Sequence, residues 1–407
     1  MAMVNIGAMY HEGQGVAQDF LSCLLTLYTA QDFTKARQLF ELAAAQGVAM
    51  AMVNIGGLYG NGCGVEQDLN EAMRWYLKAK AHGHDVSQEV AVVMQLHKTA
   101  TLIFSMPSSF HSLHAGTPGP DAPVPRLEVR ERAGGWRTLT HVHGKKQVMH
   151  GVVRVGVTGK VDPAAVISEY LRSMASLTLA SLFDHWDLAP PRPLPSFRCL
   201  HLGLGAGSLA NFLAASLPGS EHVAVEIDEA VIAAVPHLGR WSDAITVHRA
   251  DGVQWTRDFL QSPRSSETSF HCVFIDCFDH DNICAPEFLE HDFLIALRDS
   301  ILAEGGVVLI NLHSGGRKHR PGLQSAQQAF REVFGRHHTC RLHSLGSKPW
   351  AGDMIIAGRK GGSPLEPSRL QVAASWAEQT CKLGFDTRSR LTALRDLDMD
   401  MDGSGRG

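Results

Sequence analysis

The fold is decided by the stretch Cys199-Leu-His-Leu-Gly203-Leu-Gly205-Ala-Gly207-Ser-Leu209. It is followed by an apolar run to Leu217 and then by Val223-Ala-Val-Glu226-Ile-Asp228. An apolar strand, a glycine-rich turn, a helix and a second strand ending on acidic residues together predict a nucleoside pocket. The glycines let the backbone pass close to a ligand where side chains would collide. Glu226 follows them by 19 to 23 residues, where a carboxylate can accept both ribose hydroxyls.

The spacing of the glycines separates two kinds of nucleotide-binding turn. Dinucleotide-binding folds use G-x-G-x-x-G, but Ser208 stands where the third glycine of that fingerprint would be. The observed G-x-G-x-G, followed by Glu226-Ile-Asp228, resembles class I S-adenosylmethionine (SAM) methyltransferases, whose ligand has no pyrophosphate. The alternative is a glycine-rich turn that binds no ligand.

Composition limits the classes of protein. The 407 residues are 44% hydrophobic and 19% charged, which predicts two or three domains with a large core. A net charge of −4 gives no reason to expect nucleic-acid or membrane binding. The eight cysteines form no C-x-x-C pair, and no apolar run approaches the length of a membrane span. We therefore expect a cytoplasmic protein without a metal site.

The N-terminal part is repetitive. Residues 2–19 return at 51–68, a spacing of 49 residues. Because Ala-Gln-Asp-Phe at 17–20 recurs at 30–33, residues 21–33 are interpreted as a 13-residue insertion, and its removal leaves a period of 36. The sequence leaves open whether this insertion is real and whether earlier repeats precede residue 1.

Each repeat is predicted to be a helix, a glycine loop and a second helix, with small residues that let the helices approach closely. The motif Ala-x-x-Asn-Ile-Gly-x-x-Tyr with Gly-x-Gly-Val and Gln-Asp closely resembles Sel1-like repeats over about residues 1–85. We assign residues 1–100 to this α-helical segment. Such repeats are scaffolds, so the resemblance implies a protein partner or a protein substrate bound there.

A second domain is predicted after a linker. Residues 101–125 are assigned to the linker, because Ser, Gly, Pro and His dominate from 107 onward. Three alternating runs then predict a small antiparallel β-sheet over 126–156, followed by a helix at 164–186, and we expect both to cover the nucleotide pocket.

Strands and helices alternate from residue 197 to residue 360. Five further strands are predicted, at 244–248, 271–276, 305–312, 339–345 and 352–358. Helices are predicted between them at 286–302 and 322–334. This alternation predicts a doubly wound α/β fold whose site lies at the carboxyl edge of the sheet. Residues 361–407 are predicted to form a C-terminal helix, at 366–384, and a disordered tail.

The second domain, 126–360, is similar to a known family over about 230 residues. Five motifs resemble the spermidine synthase-like branch of SAM-dependent transferases: Leu-Gly-Leu-Gly-Ala-Gly-Ser-Leu, Ala-Val-Glu-Ile-Asp, Ala-Asp-Gly, Phe-Ile-Asp-Cys-Phe-Asp and Pro-Glu-Phe-Leu. Within it, the run 286–312 is most similar to the C-terminal domain of elongation factor 1-alpha lysine and N-terminal methyltransferases. The resemblance implies a Rossmann-like class I fold.

The resemblance also implies roles for individual residues. Gly203, Gly205 and Gly207 would approach the methionine part of the cofactor. Glu226, with Ile227 beside it, would hold the ribose, and Asp251 with Gly252 would meet the adenine. Asp276 would lie beside the sulfonium and the substrate amine.

Transfer from a sulfonium to an amine requires an in-line arrangement and an unprotonated nucleophile. We assign the proton acceptor to Asp276, with Asp279 or Asp281 assisting, and the alternative for Asp276 is a helix N-cap. Asp276 and Asp279 keep the spacing of the Asp-Ser-Ser-Asp motif of polyamine synthases. The later Pro-x-Gly-Pro-Ala is missing, however, and the usual Asp-Gly-x-x-Gln segment reads His150-Gly-Val-Val-Arg154.

Other candidates are weaker. The histidines at 313, 319, 337, 338 and 343 match no familiar ligand spacing and are interpreted as surface residues. The basic loop 317–320 is interpreted as solvated, and Cys277 as a packing residue rather than a nucleophile.

Three functions follow as hypotheses. The first is a SAM-dependent methyltransferase that acts on an amine, with a protein lysine or N-terminus as the candidate acceptor. The second is an aminopropyltransferase that uses decarboxylated SAM, and the third is a repeat scaffold with an inactive transferase fold. A homodimer is a further hypothesis for each of the three.

Overall fold

A computed structural model describes most of the chain. The described residues are 33–61, 65, 69–83, 85, 100–108, 124–144, 146–166, 168–262, 269–278, 283–313, 320–343, 353–381, 383, 385–395 and 397. They divide into two compact units, one of residues 1–101 with 132–134 and one of residues 102–131 with 135–407. Among the described residues, no helix is long and apolar enough to cross a bilayer.

The first unit is helical, as the repeats predict. Its described helices are α1 (Phe33–Ala45), α2 (Ala49–Asn61) and α3 (Leu69–Ala81). A Cβ on Gly56 would lie 2.5 Å from the Tyr76 ring, so the glycine permits the close approach of α2 and α3. Gly47 and Gly83 follow α1 and α3 with φ of 83° and 84°, the left-handed conformation that ends a helix. The insertion predicted at 21–33 lies, except for its last residue, outside the described residues.

The second unit begins with a four-stranded antiparallel sheet in the order β1-β2-β3-β4. Its strands are β1 (Thr101–Pro107), β2 (Arg126–Glu131), β3 (Trp136–His143) and β4 (Lys146–Arg154). The last three confirm the predicted strands closely. The first corrects the linker, because residues 101–107 form a strand; Thr-Leu-Ile-Phe-Ser-Met carries the β-branched and aromatic residues that favour one.

The large sheet contains eight strands in the order β12-β10-β11-β9-β8-β5-β6-β7. They are β5 (Arg198–Leu202), β6 (Glu221–Glu226), β7 (Ile245–Arg249), β8 (Phe270–Ile275), β9 (Leu302–His313), β10 (Thr339–His343), β11 (Asp353–Arg359) and β12 (Leu394–Arg395). Strands β5 to β9 run parallel, and β11 lies antiparallel to β9. The strand order reverses between β5 and β8, which confirms the Rossmann-like fold and puts the expected ligand crevice at their carboxyl ends.

Helices pack on both faces of this sheet. They are α4 (Glu169–His185), α5 (Ser208–Ser216), α6 (Glu229–Ala234), α7 (Gly252–Gln261), α8 (His291–Ala296), α9 (Arg320–Phe334), α10 (Pro367–Cys381) and α11 (Thr387–Leu391). One core lies between the sheet and α4, α5 and α10, and a second between the sheet and α8 and α9. These apolar layers hold the ends of β5, β6 and β8 in fixed positions.

Two further predictions differ from the structure. The helix predicted over 286–302 is interrupted, because Glu290 adopts an extended backbone between a 3₁₀ turn at Pro286–Leu289 and α8. The C-terminal region contributes more than one helix, since α11 and β12 follow α10 and β12 pairs with β10. Leu391 and Leu394 are buried in the first core, and that burial orders this segment. Residues 398–407 of the predicted tail lie outside the described residues.

Candidate functional site

The glycine loop lies between the carboxyl ends of β5, β6 and β8. Gly203 has a φ of 93°, and a Cβ there would lie 2.5 Å from the carbonyl oxygen of Asp276. Gly207 has a φ of 69°, and its Cβ would lie 2.4 Å from the Trp241 ring. Both positions therefore require glycine, for the backbone conformation and for the space. Because these glycines carry no side chain, the backbone of the loop lies directly against the ends of the neighbouring strands.

Strand β4 crosses over this loop. A Cβ on Gly151 would lie 2.7 Å from the Cβ of Ala206, so these two backbones touch. The Ser208 hydroxyl donates a hydrogen bond to the Val152 carbonyl at 2.7 Å. The small sheet thus covers the glycine loop, as expected from the sequence.

A cavity opens beneath this cover. Residues 203–210 form one wall, and the remaining lining residues are His150, Gly151, Tyr170, Leu171, His201, Phe274 and Asp276. The predicted cofactor residues Gly203, Gly205, Gly207 and Asp276 all lie on it. Neither Glu226 nor Asp251 belongs to the lining, so the cavity includes only some of the predicted cofactor residues.

Glu226 ends β6 directly behind the glycine loop. Its Oε2 accepts the backbone N–H of Leu204 at 3.1 Å, and its Oε1 accepts that of Asp228 at 2.9 Å. Burial raises the pKa of Glu226, while these backbone hydrogen bonds oppose the rise. A carboxylate has about four acceptor sites, so Glu226 can hold the loop and still accept hydroxyl groups.

The thiol of Cys277 lies next to Asp276 in the sequence and interacts electrostatically with the predicted acids. Burial holds its pKa well above the usual range, and the charges of Cys284, Glu226, Asp276 and Asp251 add to the effect. A thiol held in its neutral form supports packing rather than nucleophilic attack. Asp251 caps α7 by accepting the Gln254 N–H at 2.8 Å.

Residues 227 and 252 lie beside these acids. Ile227 is half-buried between Glu226 and Asp228. A Cβ on Gly252 would lie 3.2 Å from the Phe288 ring, so the chain is tightly packed there as well.

Asp276 follows β8 and has side-chain partners from two other elements. Its Oδ1 accepts Asn311 Nδ2 at 3.0 Å, and its Oδ2 accepts the Tyr170 hydroxyl at 3.3 Å. Burial raises its pKa to about 6 from the usual 3.8, and the nearby Asp353 adds to the rise against these hydrogen bonds. Burial and the same carboxylates hold the pKa of Tyr170 well above its usual range, so the phenol remains a donor. The two partners of Asp276 among the described residues are side chains, whereas residue 279, whose N–H a helix N-cap at 276 would accept, lies outside the described residues.

Three residues of this site were not singled out from the sequence: Tyr170, Asn311 and Asp353. Tyr170 comes from α4 before the nucleotide fold, and Asn311 and Asp353 come from β9 and β11 beyond it. Only Asn311 gave a signal, as a polar residue within the otherwise apolar run 307–312 of β9. The predicted Asp279 and Asp281 lie outside the described residues, as do His319 and residues 317–319 of the basic loop.

The histidines of this set that the structure describes do not form a cluster. His313 pairs with Asp353 at 3.1 Å, whereas His338 bonds the Gly362 carbonyl at 3.2 Å. His343 is half-buried rather than on the surface, and burial lowers its pKa. Within the described part of the chain, no three His, Cys, Asp or Glu side chains are arranged to hold a metal ion.

Comparison with a family model identifies the N-terminal segment. The Sel1 repeat model matches residues 1–24, 26–48 and 49–84, which confirms the predicted repeats. Its first two matches break at residue 25, inside the stretch interpreted as an insertion.

Two curated proteins are similar to part of the chain. An eEF1A lysine and N-terminal methyltransferase homolog from Drosophila pseudoobscura pseudoobscura is 31% identical over 120 residues, 28% of this chain and 17% of that protein. A polyamine aminopropyltransferase from Chromobacterium violaceum is 27% identical over 172 residues, 42% of this chain and 58% of that protein. The chain thus spans less than two thirds of either relative.

Two solved structures are among those similar to the chain. A probable spermidine synthase from Corynebacterium glutamicum is 19% identical with a TM-score of 0.47, over 65% of this chain and 94% of that one. Human methyltransferase-like protein 13, solved in complex with SAH, is 23% identical with a TM-score of 0.45, over 53% and 93%.

Proposed function

We propose that the second unit is a SAM-dependent methyltransferase that transfers a methyl group to an amine. The observation that carries this proposal is the position of Asp276, beside the glycine loop, with a pKa of about 6 and side-chain hydrogen bonds to Tyr170 and Asn311. A carboxylate of this basicity can accept a proton near neutral pH. When bound, SAM supplies a methyl group on a sulfonium, which an amine can displace.

The glycine loop and the acids fit such a cofactor. The loop lines the cavity with residues 203–210, and Glu226 supplies a buried carboxylate for two hydroxyl groups. Asp251 and Gly252 follow the next strand along and are assigned to the adenine. In this assignment the cavity beneath β4 takes the methionine end, since the glycines and Asp276 line it.

The site also fits an amine as the nucleophile. Asn311 is buried and donates to Asp276 through Nδ2, while its Oδ1 has no hydrogen-bond partner among the described residues. An amine N–H would satisfy that oxygen, which is otherwise costly to leave buried. Asp276 and Asp353 together give this end of the site a negative charge, which favours a cationic group on arrival.

Asp276 then has a defined task. It orients the amine and takes its proton, while Tyr170 and Asn311 hold the carboxylate in place. A protein lysine or an N-terminal amine is the class of acceptor we favour, because Sel1 repeats generally mediate contacts between proteins. The relative named as a lysine and N-terminal methyltransferase homolog supports the same class.

Aminopropyl transfer is the second candidate. The match to the polyamine aminopropyltransferase is longer than the match to the methyltransferase homolog, 172 against 120 residues. Asp276 and Asp279 also keep the spacing of two acids that polyamine synthases use. This reaction would need decarboxylated SAM and a small diamine.

Calorimetry with SAM and with decarboxylated SAM separates these candidates. We expect SAM to bind more tightly, and the full chain with methyl-labelled SAM to label protein in a cell extract. Preference for decarboxylated SAM, with transfer of its aminopropyl group to a diamine, would support the second candidate. Binding of neither ligand would support an inactive scaffold and overturn both.

A further inference from the structure

Two glycines of the predicted cofactor site share one kind of contact with the helix that follows them. The Asn211 side chain donates from Nδ2 to the Gly207 carbonyl at 3.0 Å, and the Thr256 hydroxyl donates to the Gly252 carbonyl at 2.8 Å. In each case the donor stands four residues after the glycine, one helical turn further on. Both donors are buried, Asn211 at 4% and Thr256 at 0% exposed. The proton transfer assigned to Asp276 uses neither contact.

The Asn211 amide can lie only one way round. Its Oδ1 accepts the backbone N–H of Ser242 at 3.0 Å, and a backbone N–H can only donate. Its Nδ2 meets the Gly207 carbonyl, which can only accept. The amide thus ties the start of α5 to the segment 239–242, where the Trp241 ring fills the space beside Gly207. Both ends of this buried side chain are satisfied, which offsets the cost of placing an amide in the apolar helix α5.

These hydrogen bonds fix the direction of two peptide groups. In a planar trans peptide the N–H points opposite to the C=O. Asn211 holds the Gly207 carbonyl towards the helix with its Nδ2 and its backbone N–H, both at 3.0 Å, so the Ser208 N–H points out of the N-terminal end of α5. Gly207 and Ser208 both line the cavity. By the same reasoning, Thr256 directs the N–H of Val253 out of the start of α7.

The backbone of a glycine needs such a restraint. Gly207 has a φ of 69°, and a residue without a side chain can reach many other conformations. Rotation of the peptide between Gly207 and Ser208 would turn its N–H away from the cavity. Asn211 opposes that rotation, because turning the peptide would leave a buried amide group without its partner.

We propose that Asn211 and Thr256 are positioning residues for the cofactor, Asn211 for its methionine end and Thr256 for its adenine end. This inference rests on the proposed function, which assigns the glycine loop to the methionine part and Gly252 to the adenine. It goes further because it ascribes cofactor affinity to two side chains that do not belong to the cavity lining. Each acts through the peptide group that it holds.

Calorimetry on the full chain with two ligands tests both assignments. The ligands are SAM and methylthioadenosine, which keeps the adenosine and the sulfur but lacks the amino-acid part. Asn211→Leu should weaken SAM binding about five- to tenfold, the loss of about one hydrogen bond, and leave methylthioadenosine within about twofold. Thr256→Val keeps the shape of the side chain without the hydroxyl, and it should weaken both ligands by a similar factor of about three to ten.

Two controls separate positioning from stability. Thr178→Val removes the same kind of hydrogen bond, to the Met174 carbonyl at 2.8 Å in the middle of α4, and should change neither affinity. Asn211→Ser gives up the bond to the Ser242 N–H, but its hydroxyl can still bond the carbonyl four residues earlier. It should therefore keep SAM affinity within about twofold of wild type while its Tm falls.

Each outcome decides between the claims. If Asn211→Leu and Thr256→Val lower the Tm but leave both affinities unchanged, the inference is overturned, while SAM binding and methyl transfer by the wild type still support the proposed function. Equal weakening of both ligands by Asn211→Leu, or SAM binding by Asn211→Ser as weak as that of the leucine variant, would also overturn it. Asn211→Ala, which adds no bulk, takes the place of the leucine variant if that variant does not fold. If the wild type does not bind SAM, the proposed function fails together with the inference.

Discussion

Asp276→Asn should make the protein more stable and much less active. Moving the pKa of a carboxyl from 3.8 to about 6 corresponds to about 3 kcal/mol of unfavourable free energy for the ionised form in the folded state. Asparagine removes that penalty, but it can accept only one of the two hydrogen bonds from Tyr170 and Asn311. The lost bond costs about 1–2 kcal/mol. At pH 7.5 we therefore expect a net gain of about 1–2 kcal/mol.

The sign of the pH dependence makes this prediction sharper. The folded protein holds the Asp276 proton up to about pH 6, whereas the unfolded chain releases it near 3.8. The wild type therefore loses stability from this group as the pH rises between those values. The advantage of the asparagine variant should grow by about 2 kcal/mol from pH 4.5 to pH 7.5, because the lost hydrogen bond is common to both conditions.

Thermal unfolding of the full chain at the two pH values measures this difference. An increase of about 2 kcal/mol corresponds to a growth in the Tm difference of about 4–8 °C. Methyl transfer should fall by about 10²–10⁴-fold with little change in SAM affinity. Asp258→Asn, an exposed position on α7, should show neither effect. A Tm difference that does not vary with pH would refute the burial argument, and wild-type turnover would remove Asp276 from catalysis.

Three further predictions concern the site and its boundary. Glu226→Ala should weaken SAM binding at least about tenfold, because charge-assisted hydrogen bonds to two hydroxyls contribute about 1.5–3 kcal/mol each. The control Glu229→Ala, at an exposed position, should bind SAM normally in the same calorimetry. Unchanged SAM affinity of Glu226→Ala would exclude a role of Glu226 in binding the ribose. The rate of methyl transfer should rise with pH through about 6 as Asp276 loses its proton, and this rise should be missing from the residual rate of Asp276→Asn. A shortened chain that begins at Ala100 should bind SAM like the full chain. A chain that begins at Pro125 should be unstable, because it lacks β1 and the Ser108 hydroxyl that donates a hydrogen bond to Asp228. Equal thermal stability of the two shortened chains would contradict the role of β1.

Local patterns predicted the parts of the site that lie close together in the sequence. Gly203, Gly207 and Glu226 belong to one strand-turn-helix-strand unit, so their spacing alone predicted a shared pocket. Asp276 followed from the end of a strand, where parallel sheets gather their functional residues. The observed strand order confirmed the predicted fold, because consecutive strand-helix-strand units follow the same connection rule.

The parts that were missed come from distant positions in the chain. Ser108 and His141 meet Asp228 only because the small sheet folds over α6, a contact across 120 and 87 residues that no local spacing encodes. Tyr170 reaches Asp276 across 106 residues. Strand β1 was taken for a linker because the composition of the residues after it dominated the assignment, although its own residues favour a strand.

The two-residue pairing of β12 with β10 has a consequence for the behaviour of the protein at high concentration. Without Leu394 and Arg395, the outer side of β10 would present unpaired N–H and C=O groups at Arg341 and Leu342, next to apolar core. Such an open edge is a template on which a second chain can add a strand, and it is a common origin of aggregation. A C-terminal truncation before β12 should therefore shift the protein from discrete particles towards insoluble assemblies, even though the truncation removes nothing from the cavity.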